Sequence, residues 1–532
     1  MSHKKVAVVL SGGGAKGMAH IGALKVMEKA GIPIDIITGT SMGSIVGGLY
    51  AIGYDASRLD SMVRMQNWSF LLSDRVDLTH QSLADRKKRN TYFFFRELTL
   101  NHKTARTPRG VIEGKNIGGL FARLTAGYND SVDFNRLPIP FACVATNIVD
   151  NTEYVFHSGV LADAMRASMS IPGVFSPIRK GDMMLVDGGL RNNFPVDVAR
   201  QMGADVVIGV IVPAPQKTAD DLNSSKAVLQ QIVEENCKNK YEENKANTDV
   251  LIQVDTHGYS AANFNATAID TMIRRGEEAA MKHWDELIAL KRQIGYTADY
   301  VSPKITPYSE KALAGRIKLN VVKFVNVASG DEKLLRRKYH LEKQDNISLD
   351  ELERMVAFMR VGLFYNDANY RFNAHESGYD VTVTAKEKRQ NRAALGVRFD
   401  TEEMVALQVN SEFLLKMRMP MYADVTMRLG ERTMVRGDLN FRPWDLGKIT
   451  VGYIFRHDDI NVYDTGKRLM NITYNQHTAA LIPFDFNVRN FNVKIGFRWD
   501  YYHFNDILLD VGNSEWNAYN KLRNAHYLTY RA

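Results

Sequence analysis

The chain is 532 residues long, which at ~100–200 residues per domain predicts three or four domains and excludes a mini-protein that depends on disulfide or metal staples. With 45% hydrophobic and 24% charged residues it is neither a wholly disordered chain nor a helical membrane protein. The excess of 68 Lys and Arg over 60 Asp and Glu, a formal charge of +8, suits an anionic lipid surface as well as nucleic acid, and charge alone does not choose between them.

Cys143 and Cys237 are the only cysteines, too few for a disulfide framework and without a C-x-x-C pair, so no structural metal site is expected. The first apolar run, Val6–Leu10, is shorter than the ~7–15 residues of a secretory core, so either the protein is not exported or its leader lies outside this chain. No run reaches the ~18 apolar residues of a transmembrane helix, which leaves a β-type membrane element open.

A multidomain protein is predicted. In residues 1–312, short apolar runs at Val6–Leu10, Ile34–Thr38, Phe141–Ala145, Met184–Val186, Asp205–Val212 and Val250–Val254 alternate with helical stretches such as Ile21–Lys29 and Met42–Ala51. That alternation predicts an α/β domain, a mostly parallel sheet flanked by helices. Residues 313–388 change texture: an extended run at Ile317–Val325, helices near Glu332–Leu341 and Leu349–Val361, then strands at Tyr370–Phe372 and Tyr379–Ala385. Ser348-Leu-Asp-Glu351 is a capping box that opens the second helix. This small α+β module resembles a polypeptide-transport-associated (POTRA) domain, the kind that precedes outer-membrane barrels.

Residues 389–532 show period-two alternation instead of helical spacing. Phe491, Val493, Ile495, Phe497 and Trp499 alternate with Asn492, Lys494, Gly496, Arg498 and Asp500, and 423–429 and 435–442 repeat the pattern. Of the 143 residues from Gln390 to Ala532, 21 are aromatic, against 10% for the whole chain, as the interfacial girdles of a membrane barrel would require. Seven or eight strands are expected in an antiparallel β-barrel-like segment. It would close as an eight-stranded barrel or stay incomplete, with edges that invite association into a homo-oligomer; a soluble sandwich is the competing reading.

Chemistry is carried by two glycine-bearing turns and an acid. Ser11-Gly12-Gly13-Gly14-Ala15-Lys16-Gly17 follows the first strand and leads into a helix, so its amides can converge on a phosphate or a developing oxyanion. Gly12, Gly14 and Gly17 also fit a dinucleotide fingerprint, with Asp35 as its acid, but Asp35 precedes its strand instead of ending it. Gly39-Thr40-Ser41-Met42-Gly43 is G-x-S-x-G between a strand and a helix, the setting of a nucleophile elbow, and it nominates Ser41. A serine hydroxyl needs a base. His20 and His157 are read as packed or surface imidazoles, whereas Asp187, in Val186-Asp187-Gly188-Gly189, closes a short strand at the place where α/β sheets gather catalytic groups.

Taken in order, Gly12-Gly13-Gly14-x-Lys16-Gly17, Gly39-x-Ser41-x-Gly43 and Asp187-Gly188-Gly189 resemble the patatin-like phospholipase family, and Arg166–Pro177 is similar to the stretch that precedes its acid. The resemblance implies a lipid acyl hydrolase in which Ser41 attacks the ester, Asp187 accepts its proton, and the amides of Gly12, Gly13 and Gly14 line an oxyanion hole. Lys16, Gly17, Gly39, Gly43, Gly188 and Gly189 would be supporting motif residues, with Lys16 holding the loop, meeting lipid phosphate or simply solvated. No metal and no cofactor is required.

The expected partners are a phospholipid or other lipid ester and a membrane surface, not nucleic acid. Arg86-Lys-Lys-Arg89 beside Tyr92–Phe95 could seat the chain on anionic lipid, or be a basic turn beside core aromatics. With its POTRA-like module and barrel-like segment the chain resembles patatin proteins displayed at the outer membrane or cell surface of Gram-negative bacteria. A cytoplasmic location is the alternative. The competing function is an outer-membrane transport, assembly or binding protein with a non-catalytic α/β passenger.

Overall fold

The structure, a computed structural model, describes residues 4–77, 91, 92, 94–97, 112–213, 231, 235, 239–297, 299–303, 305, 316–343, 345–375, 378–386, 391–400, 404–415, 421–441, 447–488, 491–509 and 523–531. Arg86–Arg89 therefore lie outside the described residues.

The first unit is built on β1 (Val6–Leu10), β2 (Ile36–Thr40), β4 (Phe141–Asn147), β5 (Thr152–Phe156), β6 (Ile178–Lys180), β7 (Met183–Asp187), β8 (Val206–Ile211) and β9 (Val250–Gln253); β3 (Phe94–Glu97) belongs elsewhere. The sheet runs β9-β8-β1-β2-β4-β7-β6, with β5 paired to β4. The five consecutive strands from β9 to β4 are parallel. All five residues of β1 are fully buried, as a strand covered on both faces must be, which explains its unbroken apolar run. Helices α1 (Ala19–Ala30), α2 (Met42–Ala51), α3 (Ala56–Met65) and α8 (Ala266–Met281) contribute Leu24, Val46, Leu59 and Ile273 to one large core. On the other face Phe194 packs with Val196 and Ala199 of α7 (Val196–Gln201).

One expectation is corrected here. The strand ending in Asp187 is antiparallel to β4, pairing Ala145 with Asp187 and Asn147 with Leu185. The acid still reaches the carboxyl edge of the parallel strands, because β7 overlaps only the last residues of β4 and descends from beyond them. Register delivers it there, not strand direction.

The 313–388 region contains β10 (Arg316–Val325), α9 (Ser329–Lys338), β11 (Asn346–Ser348), α10 (Leu349–Val361), β12 (Ala368–His375) and β13 (Gly378–Ala385), with sheet order β11-β10-β13-β12. Leu335, Leu352, Met355, Phe372 and Val381 form its core. The capping box is present: the Ser348 hydroxyl accepts from the Glu351 amide at 3.2 Å and the Glu351 carboxylate accepts from the Ser348 amide at 2.9 Å. Strand β11 is an addition to the expected elements, since three residues are too few for a period to register. Against the first unit, Arg371 pairs with both Asp163 oxygens at 2.8 and 2.9 Å, and Lys115 Nζ donates to the Asn366 carbonyl at 2.7 Å.

Eight strands follow: β14 (Asn391–Asp400), β15 (Met404–Leu415), β16 (Met421–Leu429), β17 (Thr433–Phe441), β18 (Gly447–Asp464), β19 (Lys467–Val488), β20 (Phe491–Leu509) and β21 (Ala525–Arg531). They form an antiparallel meander in chain order, extended to nine by β3, which pairs Phe94–Glu97 with Leu395–Arg392. The aromatic run expected to touch lipid or core thus lends part of itself to the edge of this sheet, and Tyr92 is buried there, its hydroxyl accepting from Gln408 at 2.8 Å. Among the described residues β21 and β3 do not pair with each other. Its faces are reversed relative to a water-soluble sheet: Asn410, Asp424, Thr426, Gln476, Thr478 and Asp500 are buried, while Leu407, Leu439, Leu481, Ile495 and Phe497 are exposed. The buried groups satisfy one another, as in Asn410 Nδ2 to Thr426 Oγ1 at 2.8 Å and Gln476 Nε2 to Asp500 Oδ1 at 2.9 Å.

Candidate active site

Strand β2 ends in Thr40, and α2 begins at Met42, leaving Ser41 alone at the corner with φ 53° and ψ −119°. A non-glycine residue in that region is strained and persists only where its surroundings enforce it. They do so by close approach: a β-carbon on Gly43 would stand 2.1 Å from the Leu10 carbonyl oxygen, and one on Gly39 would stand 2.5 Å from the Gly43 carbonyl. The glycines of G-x-S-x-G are therefore the only residues that let α2 sit this near β1. The Ser41 carbonyl accepts from the Ser44 hydroxyl at 2.6 Å and the Ile45 amide at 3.2 Å.

At this corner the Ser41 hydroxyl donates to Asp187 Oδ2 at 2.7 Å. The other carboxylate oxygen, Oδ1, accepts from the Gly189 amide at 2.8 Å, and a β-carbon on Gly188 would lie 2.1 Å from the Val144 carbonyl. Both side chains are buried, Ser41 at 5% and Asp187 at 8% exposure. Burial pushes the Asp187 carboxyl up to about 6, against the opposing hydrogen bonds from Gly189 and Ser41. Near neutrality it is an ionised group with appreciable proton affinity, the condition for a general base.

One segment holds both partners. The Ser41 amide donates to Ser168 Oγ at 2.9 Å, and the Ser168 hydroxyl donates to the Val144 carbonyl at 2.6 Å. The carbonyls of Ser168 and Ser170 accept from Gly188 and Asp187 at 3.2 and 2.9 Å. Arg166 Nη1 donates to the Ser170 hydroxyl at 2.6 Å, and its Nη2 to the Glu113 carbonyl at 2.9 Å. Arg166, Ser168 and Ser170 lie in the Arg166–Pro177 stretch, whose family resemblance assigns them no individual role. Their only signal is the spacing of small polar residues at the end of helix α5 (Leu161–Ser168).

The glycine loop is adjacent. A β-carbon on Gly12 would fall 3.2 Å from Ser41 Cβ, and one on Gly17 2.5 Å from Met42 Cγ. The expectation for Gly12 is corrected: its amide already donates to the Asn193 carbonyl at 3.0 Å, so it has no proton to offer an oxyanion. No hydrogen bond among the described residues takes the amides of Gly13 or Gly14. Lys16 is neither solvated nor turned toward a headgroup; it is buried, and its ammonium donates to the Pro213 carbonyl at 3.0 Å, which ties down the loop.

The remaining titratable groups fall elsewhere. His20 is fully buried with Nε2 2.8 Å from the Ser11 carbonyl oxygen, and burial lowers it to about 4, so it is a neutral brace under the loop. His157 is exposed on a bend. The Asp35 carboxylate accepts from the Val6 amide at 2.8 Å, at the amino end of β1 and away from the glycine loop, which removes the nucleotide reading. No cluster of metal-ligating side chains occurs among the described residues.

Beside the nucleophile lies a small, largely apolar pocket of about 40 Å³. It is lined by Met42 and Val46 of α2, Met62 of α3 and Phe121 of α4 (Lys115–Leu124), and among the described lining residues Gln66 alone carries a polar amide. Its lining begins at Met42, the residue after Ser41, and is continuous with Met18 and Ile21 of the glycine-loop side.

An α/β sheet with a strained serine corner, an acid in hydrogen-bond contact and a glycine loop defines a hydrolase-type domain. Residues 8–200 match the model of the family described as patatin-like phospholipase, so this stretch of the chain is a patatin-like phospholipase domain. It is 34% identical over 217 residues to patatin-like phospholipase domain-containing protein 6 of mouse and of human, covering 40% of this chain and 14% of theirs. It is 33% identical over 246 residues to lysophospholipase NTE1 of Kluyveromyces lactis, covering 43% and 14%. The chain thus spans about one seventh of the length of these curated relatives. Among solved structures, VipD from Legionella pneumophila aligns over 68% of this chain and 81% of its own at 14% identity with a TM-score of 0.29. BamA from Haemophilus ducreyi aligns over 40% and 42% at 11% identity with a TM-score of 0.28.

Proposed function

We propose that this protein is a serine acyl hydrolase that cleaves ester bonds of membrane lipids, of phospholipase A or lysophospholipase type, through a Ser41–Asp187 dyad. The observation that carries the reading is the 2.7 Å hydrogen bond from the Ser41 hydroxyl to Asp187 at a strained elbow. Ser41 Oγ attacks the ester carbonyl while Asp187 takes its proton, and the unspent amides of Gly13 and Gly14 receive the charge on the carbonyl oxygen. Collapse expels the alcohol, protonated by Asp187, and leaves an acyl-serine. Water activated by Asp187 then releases the fatty acid. The apolar pocket beside Met42 takes the acyl chain, and the name lysophospholipase on relatives that share this domain supports a lipid ester.

The polar inner and apolar outer faces of the C-terminal sheet support a β-type segment inserted in the outer membrane of a Gram-negative bacterium, with the preceding module acting as a POTRA-like spacer. A biotinylated fluorophosphonate tests the chemistry. The full chain is expected to be labelled and Ser41→Ala to be unlabelled; absence of label on the folded wild type would favour a non-catalytic passenger.

A further inference from the structure

We infer that the side-chain carboxamide of Asn193 is a third hydrogen-bond donor to the oxyanion, which the glycine loop alone does not complete. The inference rests on the acyl-hydrolase reading and adds a catalytic residue to it. Asn193 follows helix α6 (Gly189–Asn192), so the acid and this amide stand at opposite ends of one short helical turn.

Two adjacent asparagines differ in how they are used. Asn192 is fully buried and spent: its amide nitrogen donates to Glu153 at 3.0 Å and Asp197 at 2.7 Å, its side-chain oxygen accepts from Asn244 at 3.1 Å, and its carbonyl accepts from Thr40 Oγ1 at 2.8 Å. That network fixes the backbone from which Asn193 projects. Asn193 is half-buried, and its carbonyl takes the Gly12 amide, but its carboxamide makes no hydrogen bond among the described residues. A half-buried primary amide has two donors and an acceptor to satisfy.

Its position says what it faces. A β-carbon on Gly12 would lie 2.3 Å from Asn193 Oδ1 and 3.2 Å from Ser41 Cβ, so the carboxamide leans over the contact between the glycine loop and the nucleophile. Gly12 is glycine because this amide occupies the space a side chain would need. A half-turn about the terminal torsion presents Nδ2–H to the same space. As Ser41 Oγ bonds to the carbonyl carbon, the π pair moves onto oxygen and the proton passes to Asp187. The new oxyanion then accepts from Gly13, Gly14 and Asn193 Nδ2, and these bonds are released when the alcohol leaves.

The test is steady-state hydrolysis of p-nitrophenyl butyrate and of lysophosphatidylcholine by the full chain, with Asn193→Ala and Asn193→Asp beside the wild type. Loss of one oxyanion donor is expected to lower kcat about 10²–10³-fold with KM little changed. The aspartate, of equal size but without the donor, is expected to be at least as slow as the alanine. Retention of wild-type kcat by either variant overturns the inference while leaving the hydrolase reading intact. A wild type inactive on both esters overturns the hydrolase reading and this one with it. Independently of how the variants fold, a structure of the wild type carrying a phosphonate on Ser41 is expected to place Asn193 Nδ2 in hydrogen-bond contact with the phosphonyl oxygen; a separation beyond about 3.5 Å refutes the assignment.

Discussion

Asp187 is placed by its environment between two demands. In the proposed mechanism its carboxyl, raised to about 6 by burial, must be ionised to accept the Ser41 proton, so kcat/KM on a soluble ester is expected to rise with pH through about 6 and level off above it. A flat profile from pH 5 to 8 would mean that another group is the base. The same shift has a thermodynamic sign. The folded state holds this proton more tightly than the unfolded chain, so the group's contribution to stability is greatest at low pH and falls as pH climbs from the ordinary carboxylate range through 6. Its uncompensated burial costs up to about 3 kcal/mol at neutral pH. Asp187→Asn removes that burden. Its expected signature at pH 7.5 is a loss of turnover of about 10²–10⁴-fold together with a Tm no lower than that of the wild type. A variant that loses activity by unfolding would instead lose Tm.

Elements position these groups through contacts that tolerate little. Gly43 lets α2 approach β1, and Gly43→Ala is expected to drive a methyl into the Leu10 carbonyl and abolish fluorophosphonate labelling, because relief requires moving the elbow itself. The α2 face toward the pocket is open to a subtler change. Val46→Trp should fill the space below Met42 and lower kcat/KM for a C16 ester by tenfold or more relative to the butyrate, since what is lost is chain accommodation and not chemistry. Equal losses on both esters would remove the pocket from substrate binding. The elbow and the acid turn were legible because each imposes a rare local demand, small residues flanking one functional group. The antiparallel sense of β7 was not, since periodicity reports which face a residue occupies and never which way its strand runs. Gly12 was misassigned for a related reason: whether an amide is free depends on a carbonyl at residue 193, and no local pattern carries that. Ser168 and Asn193 are short polar residues in stretches where many such residues merely cap or turn. Strand β3 pairs with residues about 300 positions later, a partnership that four residues cannot announce.

At the scale of the whole chain, the two ends of the molecule obey opposite solvation rules. Residues 8–200 bury apolar groups and expose polar ones, whereas the C-terminal sheet buries Asp424, Gln476 and Asp500 and exposes Leu439, Ile495 and Phe497. Exposed apolar side chains recur along several adjacent strands, the pattern that marks an interaction or membrane surface, and the outer-membrane proposal supplies a bilayer as the neighbour that would cover them. A membrane-inserted sheet and a soluble sandwich respond with opposite signs to substitution on this face. In water, replacing a half-exposed isoleucine or leucine by arginine is neutral or improves solubility. In lipid it costs about 2–4 kcal/mol near the bilayer midplane. Leu439→Arg and Ile495→Arg are therefore expected to reduce, additively, the fraction of full-length chain that refolds into phosphatidylcholine vesicles and becomes protected from protease across residues 391–509. Ester hydrolysis by the first unit should be unchanged, because that unit has its own core. Variants that stay monodisperse without detergent and match the wild type in the vesicle assay would place the sheet in water and remove the membrane from the account of this protein.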